Sequence, residues 1–239
     1  MSDAVVVVPT YNERENLPLL VPAIVALDLR VLVVDDESPD GTGAVAEALA
    51  AAHRGRVEVL HRGGPRGFGR ACLAGLQRAL DTRAAFVCQM DADLSHDPAD
   101  LPRLLAAASG SDLVIGSRYV GGGRVERWPW RRVLLSAAAN RYVRLVTGLR
   151  VRDCTAGYRC WRREALARLP LDAIASEGYG FLVEMLFEAV RHGCRVAEVP
   201  IVFVERRQGR SKLASGRLVE SALLPWRLRR RLFAGRPVC

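Results

Sequence analysis

The sequence predicts an α/β protein built on a mostly parallel, twisted sheet with helices on both faces. Three observations carry that reading. Short β-rich runs alternate with helix-length stretches through the first half of the chain, the pattern of successive βαβ units. The runs are apolar on consecutive residues, as strands covered on both faces require. With 239 residues, half of them hydrophobic, the chain is long enough to bury one large core.

Taken in order, strands are expected at Val5 to Val8, Val31 to Asp35, Val57 to Leu60, Ala85 to Met90 and Leu113 to Gly116, each short, branched and closed by turn or charged residues. Helices are expected between them, near Glu13 to Leu27, Gly43 to His53, Arg70 to Leu80 and Ala99 to Ala108. The second half is less regular. A Gly121-Gly122-Gly123 loop precedes a helix from about Trp130 to Thr147, for which Pro129 is a suitable start. A helix from Phe181 to His192 and a strand near Arg195 to Val204 follow. There is no internal repeat and no low-complexity linker, so residues 1–212 read as one unit and 213–239 as a basic, amphipathic tail. In that tail Leu218, Leu223, Leu224, Trp226, Leu228, Leu232 and Phe233 are interleaved with Arg217, Arg227, Arg229, Arg230 and Arg231. Two readings stand: a helix lying flat on an anionic membrane, or a packed C-terminal helix with a solvated basic face.

The formal net charge of +9 calls for an anionic partner: nucleic acid, lipid headgroups or a phosphorylated small molecule. Nucleic acid fits poorly, because the basic residues are not interleaved with aromatics on one sheet and no helix-turn-helix, RRM or zinc-finger spacing occurs. Nearly all the positive charge is arginine, and Lys212 is the single lysine. The six cysteines (Cys72, Cys88, Cys154, Cys160, Cys194, Cys239) form no C-x-x-C pair, which suits a reducing, cytosolic setting. The start of the chain carries no secretory leader pattern, and Cys239 lacks a prenylation box. No apolar run approaches the roughly 18 residues needed to cross a bilayer. A cytoplasmic protein, peripheral at the cytoplasmic face of a membrane, is the expectation.

In open α/β sheets ligands bind beyond the carboxyl ends of the strands, and three expected strands end in polar clusters: Pro9-Thr10-Tyr11-Asn12-Glu13, Asp35-Asp36-Glu37-Ser38-Pro39-Asp40-Gly41 and Gln89-Met90-Asp91-Ala92-Asp93. The last is the sharpest. Two carboxylates spaced two apart on an extended backbone point the same way and can share one hard divalent cation, which keeps open positions for phosphate oxygens and neutralises a departing diphosphate. The Arg62 to Arg70 stretch, rich in glycine and opening a helix, is either a phosphate cradle or a plain turn; it matches neither the Walker A spacing nor the dinucleotide fingerprint. Arg132 and Ser136 lie four apart on an expected helix, hence on one face that can grip a phosphate. Trp128 and Trp130 suit a membrane interface or ordinary core packing. For Arg118 and Arg132 a surface ion pair is the alternative to a ligand contact.

These segments together carry a family resemblance. Pro9-Thr10-Tyr11-Asn12-Glu13, Val34-Asp35-Asp36 with Ser38-Pro39-Asp40-Gly41-Thr42, Met90-Asp91-Ala92-Asp93-Leu94-Ser95-His96, Gly116-Ser117-Arg118-Tyr119, Gly157-Tyr158-Arg159 and Gly209-Arg210-Ser211-Lys212 resemble, in order, the inverting GT-A glycosyltransferases of family 2, and within them the polyprenol (dolichol) phosphate mannose synthases. The resemblance runs from about Val5 to Lys212 and implies a GT-A nucleotide-diphospho-sugar transferase fold. It implies transfer of mannose from GDP-mannose to polyprenyl phosphate with Mg2+ or Mn2+, with UDP-glucose or another nucleotide sugar as the alternative donor. By the same resemblance Pro9, Tyr11, Glu13 and Asp36 hold the nucleoside and Asp91 and Asp93 bind metal and diphosphate. Arg118, Arg132 and Ser136 contact the acceptor phosphate, while Arg206, Ser211 and Lys212 belong to a loop that closes over both substrates. Asp91, Asp93, Arg118, Arg206 and Lys212 are then the catalytic set. Asp153, Thr155, Glu177 and Glu184 receive no role. The partners implied are the two substrates and a membrane surface, with a membrane-anchoring protein as a further candidate. A lipid monophosphate, with a second pKa near 6 by analogy with phosphorylated side chains, is already ionised at neutral pH, so no general base is required. A nucleotidyltransferase would carry its glycine-rich loop directly after the first strand, where this chain has Pro9 to Glu13.

Overall fold

Four consecutive valines, Val5 to Val8, form the spine of the sheet. They lie in β1 (Ala4–Thr10), every residue of which is buried. Val5 and Val7 enter one hydrophobic cluster and Val6 and Val8 the other, the period-two signature of a strand covered on both faces. The structure is a computed structural model that describes residues 3–205 and 217–234.

Along the chain β1 is followed by α1 (Leu17–Val25), β2 (Arg30–Asp35), α2 (Thr42–Ala52), β3 (Val57–His61), α3 (Phe68–Leu80), β4 (Phe86–Gln89), α4 (Leu101–Ala108) and β5 (Leu113–Ser117). The second half adds β6 (Arg124–Glu126), α5 (Trp130–Thr147), β7 (Arg159–Arg162), α6 (Arg163–Ala167), α7 (Tyr179–Arg191), β8 (Val196–Pro200), β9 (Val202–Val204) and α8 (Arg217–Ala234). The main sheet has the order β3-β2-β1-β4-β7-β5-β8, and β6 pairs with β9 in a separate two-stranded sheet. All pairings in the main sheet are parallel except those of β7, which runs against both β4 and β5. On one face α3, α7 and α8 pack over the sheet through Leu76, Phe181, Leu186, Leu224 and Leu228. On the other, α1 and α4 supply Leu17, Leu20, Ile24, Leu101 and Leu104. At Gly75 of α3 an added Cβ would sit 2.4 Å from Val7 Cγ1 and 2.8 Å from Val34 Cγ2, so only glycine lets the helix come this close to the sheet.

The expected strands and the helix at Trp130 to Thr147 match the observed elements closely. Three expectations need correction. The first helix begins at Leu17 rather than Glu13, because Asn12 turns the chain with φ 59° and the Glu13 carbonyl closes a turn on the amides of Asn16 and Leu17. The strand near Arg195 to Val204 is two strands in two sheets, divided after Pro200, whose missing N–H suits a break in the ladder. The strand β7, sequence Arg-Cys-Trp-Arg, was not expected, because arginine at both ends disguises a strand that is buried over its first three residues.

Candidate active site

The residues that follow β1, β2, β4 and β5 meet at one edge of the sheet around a cavity of about 530 Å3. Pro9, Tyr11 and Glu13 come from the first crossing, Asp36 from the second, Asp91 and Asp93 from the fourth and Arg118 from the fifth. Since β7 runs the other way, its entry segment reaches the same edge, which is how Ala156 and Gly157 join the wall. Arg132 enters from α5, with Trp128 before it and Phe203 from β9 beside it.

Asp91 and Asp93 both face the cavity. An added Cβ at Gly157 would lie 3.2 and 3.3 Å from the two carboxylate oxygens of Asp91, so glycine there leaves room around that carboxylate. Asp93 Oδ1 accepts from the Ser95 amide at 3.1 Å and its hydroxyl at 2.5 Å. The Asp91 amide donates to His96 Nδ1 at 3.2 Å. Burial depresses the His96 pKa to about 4, so the ring is neutral at physiological pH and does not repel a cation. Among the described residues no cluster of three or more His, Cys, Asp or Glu side chains with metal-ligand geometry occurs. The chain thus offers two hard oxygen donors in an open site, a set that fits Mg2+ or Mn2+ with remaining positions left to phosphate oxygens and water.

Two arginines, each paired with a carboxylate, line the same cavity. Arg118, buried, makes a two-pronged ion pair with Asp153, Nε to Oδ2 and Nη2 to Oδ1 both at 2.7 Å, and Nη2 also donates to Thr155 Oγ1 at 2.9 Å. Burial pulls its pKa down, but the Asp153 bonds outweigh that and leave it above the ordinary value. Arg132 lies over Trp128, 3.9 Å from the ring centroid, and donates to Glu205 Oε1 at 2.7 Å. Trp128 and Phe203 meet edge to face, and the Arg118 guanidinium lies 5.8 and 5.4 Å from their ring centroids. One tryptophan therefore carries both arginines. Ser136, one turn beyond Arg132, is bonded to the Tyr119 hydroxyl at 2.7 Å, and its carbonyl accepts from Asn140 at 3.0 Å; it stands behind the cavity wall. Trp128 is thus a site residue, whereas Trp130 points to solvent.

The glycine-rich loop serves the protein's own carboxylates. The Gly67 amide donates to Asp36 Oδ2 at 2.8 Å and the Gly69 amide to Glu177 Oε2 at 3.1 Å, while Arg62 pairs with Asp36 and Arg70 with Glu177. Glu177 sits where the α3 dipole favours an anion, so this helix start is already occupied. Arg66 reaches back over the Tyr11 ring, 5.2 Å from its centroid, and bonds to the hydroxyl. Arg206, Ser211 and Lys212 lie outside the described residues. Asp153, Glu205, Phe203 and Glu177 are parts of the site whose partners the sequence left unassigned; the only signal for them was a polar or aromatic residue near a recognised motif.

The model of the glycosyl transferase family 2 matches residues 5–169. A polyprenol monophosphomannose synthase of Mycolicibacterium smegmatis is 48% identical over 238 residues, spanning 98% of this chain and 90% of its own. An undecaprenyl-phosphate mannosyltransferase of Micrococcus luteus is 47% identical, spanning 91% of this chain and 90% of its own. Among solved structures, glucosyl-3-phosphoglycerate synthase from Mycobacterium tuberculosis, in complex with Mn2+, UDP and glucosyl-3-phosphoglycerate, superposes with a TM-score of 0.65 at 22% identity, covering 98% of this chain and 81% of that one. A mannosyltransferase from Pyrobaculum calidifontis in complex with GDP-Man and Mn2+ gives 0.58 at 18% identity, covering 99% and 76%. The match of the family model through all five strand ends of the first half, with close relatives over nearly the whole length, makes this chain a member of glycosyl transferase family 2.

Proposed function

We propose that the chain transfers mannose from GDP-mannose to polyprenyl phosphate, giving polyprenyl-phosphate mannose and GDP. The observation that carries this reading is a single cavity lined both by a carboxylate pair, Asp91 and Asp93, and by two arginines braced on Trp128, Arg118 and Arg132. Two anionic substrates need both: the carboxylates for a metal-bound diphosphate, the arginines for a phosphate nucleophile. The names of the M. smegmatis and M. luteus relatives support the mannose and the lipid phosphate, and GDP-Man in the Pyrobaculum structure supports the nucleotide.

In this reading Pro9, Tyr11, Glu13 and Asp36 hold the nucleoside, and Asp36 is kept in place by Arg62 and the Gly67 amide. Asp91 and Asp93 would hold the divalent cation, Ser95 fixing Asp93. When bound, such an ion supplies Lewis-acid neutralisation of the leaving diphosphate. Arg118 cannot swing, because Asp153 grips it at two points; it contributes a fixed charge. Arg132 is held to Glu205 at one point and is partly solvated, so an arriving phosphate competes for it. Ser136 supports this wall through Tyr119. The acceptor phosphate is already ionised, so these groups need only align its oxygen with the anomeric carbon and stabilise charge.

A lipid acceptor implies contact with a membrane surface, and α5 is suited to it. Arg132, Ser136 and Asn140 occupy its inner face, while Trp130, Leu134 and Leu145 lie opposite, with Leu135 and Tyr142 beside them, 37 to 70% exposed. Leu223 and Trp226 of α8 extend the apolar surface, and Arg131, Arg141, Arg227 and Arg230 are exposed on these two helices. Among the described residues no helix is long and apolar enough to cross a membrane.

The test is a panel of GDP- and UDP-sugars with a short polyprenyl phosphate in detergent, with Mg2+, Mn2+ or chelator. The expected result is mannosyl transfer from GDP-mannose that stops on chelation and falls by at least about a hundredfold in the Asp91→Ala, Asp93→Ala double variant. Transfer from UDP-glucose alone would move the reading to the alternative donor. Full activity in the double variant would overturn the mechanism.

A further inference from the structure

Two acidic side chains inside α7 take no part in the reaction above. Glu184 and Glu188 are one turn apart and only 1% and 2% exposed. A buried carboxylate is costly unless paired and hydrogen-bonded; Arg231 of α8 places Nη1 2.7 Å from Glu184 Oε1 and 3.3 Å from Glu188 Oε1, while Glu188 Oε2 is paired with Arg191 Nε at 2.8 Å. The other oxygen of Glu184, Oε2, accepts from the amides of Ala175 at 3.3 Å and Ser176 at 2.9 Å.

That backbone leads directly into Glu177, Gly178 and Tyr179 on the cavity wall. Glu177 in turn holds the Gly69 amide and Arg70, two residues from the Gly67 amide that holds Asp36. A second contact points the same way. An added Cβ at Gly180 would lie 3.0 Å from Leu224 Cδ2 of α8 and 3.3 Å from Ser176 Cβ, so α8 rests on the start of α7 next to this wall. No described side chain of α8 lines the cavity, yet the Arg231–Glu184 pair and the backbone it holds join this helix to Glu177.

We infer that Arg231 and Glu184 are positioning residues of the donor site: α8, through them, holds residues 175–179 in the arrangement that binds the nucleotide sugar. The inference rests on reading this cavity as the donor site. Neither side chain touches substrate. Glu184 acts through the wall, and Arg231 acts through Glu184. The acceptor wall takes its own braces elsewhere: Arg118 from Asp153 and Thr155, Arg132 from Glu205, both over Trp128.

The full-length wild type and the variants Arg231→Ala, Arg231→Lys and Glu184→Gln separate the possibilities. Donor and acceptor KM are measured in turn with the other substrate saturating, together with Tm and amide exchange over residues 174–180. Expected for Arg231→Ala and Glu184→Gln is a donor KM raised about fivefold to tenfold, the scale of one charge-assisted hydrogen bond to a partly solvated group. Acceptor KM should stay within about twofold, and the Ala175 and Ser176 amides should exchange faster. Arg231→Lys, which keeps the charge, should recover most of the donor KM. A lowered Tm with donor KM unchanged would make the pair merely structural and overturn the inference, as would a parallel rise of both KM values. If the wild type neither transfers sugar nor binds GDP or UDP with Mn2+, the donor-site reading falls and the inference with it.

Discussion

Arg118 is a charged side chain taken almost wholly out of water, and Asp153 is what makes that tolerable. The Asp153 carboxylate is itself fully buried and spends both oxygens on the arginine. Removing one member of such a pair leaves an uncompensated buried charge, at a cost of about 3–5 kcal/mol. Asp153→Ala is therefore expected to lower the unfolding free energy by about 3 kcal/mol in denaturant titration, and an unchanged midpoint would show that Arg118 finds another partner. The sequence marked Arg118 through its Gly-Ser-Arg-Tyr segment, and it showed Asp153 as a polar residue without a task. Nothing local joins positions 35 residues apart. Gly157 is similar: the sequence holds the glycine, but its reason, space for the Asp91 carboxylate, exists only after β4 and β7 pair.

At the scale of elements, α5 carries its two faces in an unusual arrangement. The polar and charged side, Arg132, Ser136 and Asn140, looks inward to the site, and the apolar stripe of Leu134 and Leu145 looks outward. A hydrophobicity pattern predicts the reverse in a globular helix; it was the four-residue spacing of Arg132 and Ser136 that marked the ligand-facing side. The outward stripe argues for a lipid-facing role. Leu135→Glu with Trp226→Glu, both at exposed positions, should reduce cosedimentation with anionic vesicles by at least about tenfold, since burying even one large apolar side chain is worth about 1.5–3 kcal/mol, with Tm unchanged. Undiminished cosedimentation would rule this face out. For α8, Leu224 and Leu228 pack against the rest while Leu223 and Trp226 stay exposed. The packed reading of the tail thus holds for one side of this helix, and its exposed side is where the surface-lying reading is put to the test.

At the scale of the whole molecule, the site is an edge property of the sheet, assembled from four strand exits, one strand entry and three helices, α3, α5 and α7. Such a site should be tightened by the ligand that spans it. GDP with Mn2+ at about 100 times its Kd stabilises the folded state by about 2.7 kcal/mol, a rise of roughly 5–10 °C in Tm for a chain of this size. The rise should vanish with chelator and in the Asp91→Ala, Asp93→Ala variant; a rise independent of metal would exclude these carboxylates from nucleotide binding. The sequence by itself determined the parallel half of the sheet, the three polar strand ends and the family they resemble, because strand burial and strand-end chemistry are written in contiguous residues. Only the tertiary structure decided that Trp128 supports two arginines, that the glycine-rich loop answers to Asp36 and Glu177, and that β7 runs backward through the sheet to bring Gly157 against Asp91. It also set Arg231 on Glu184. Each of these is a pairing between distant positions, and a side chain's partner across the fold is fixed by packing and closure of the chain rather than by anything in its own neighbourhood.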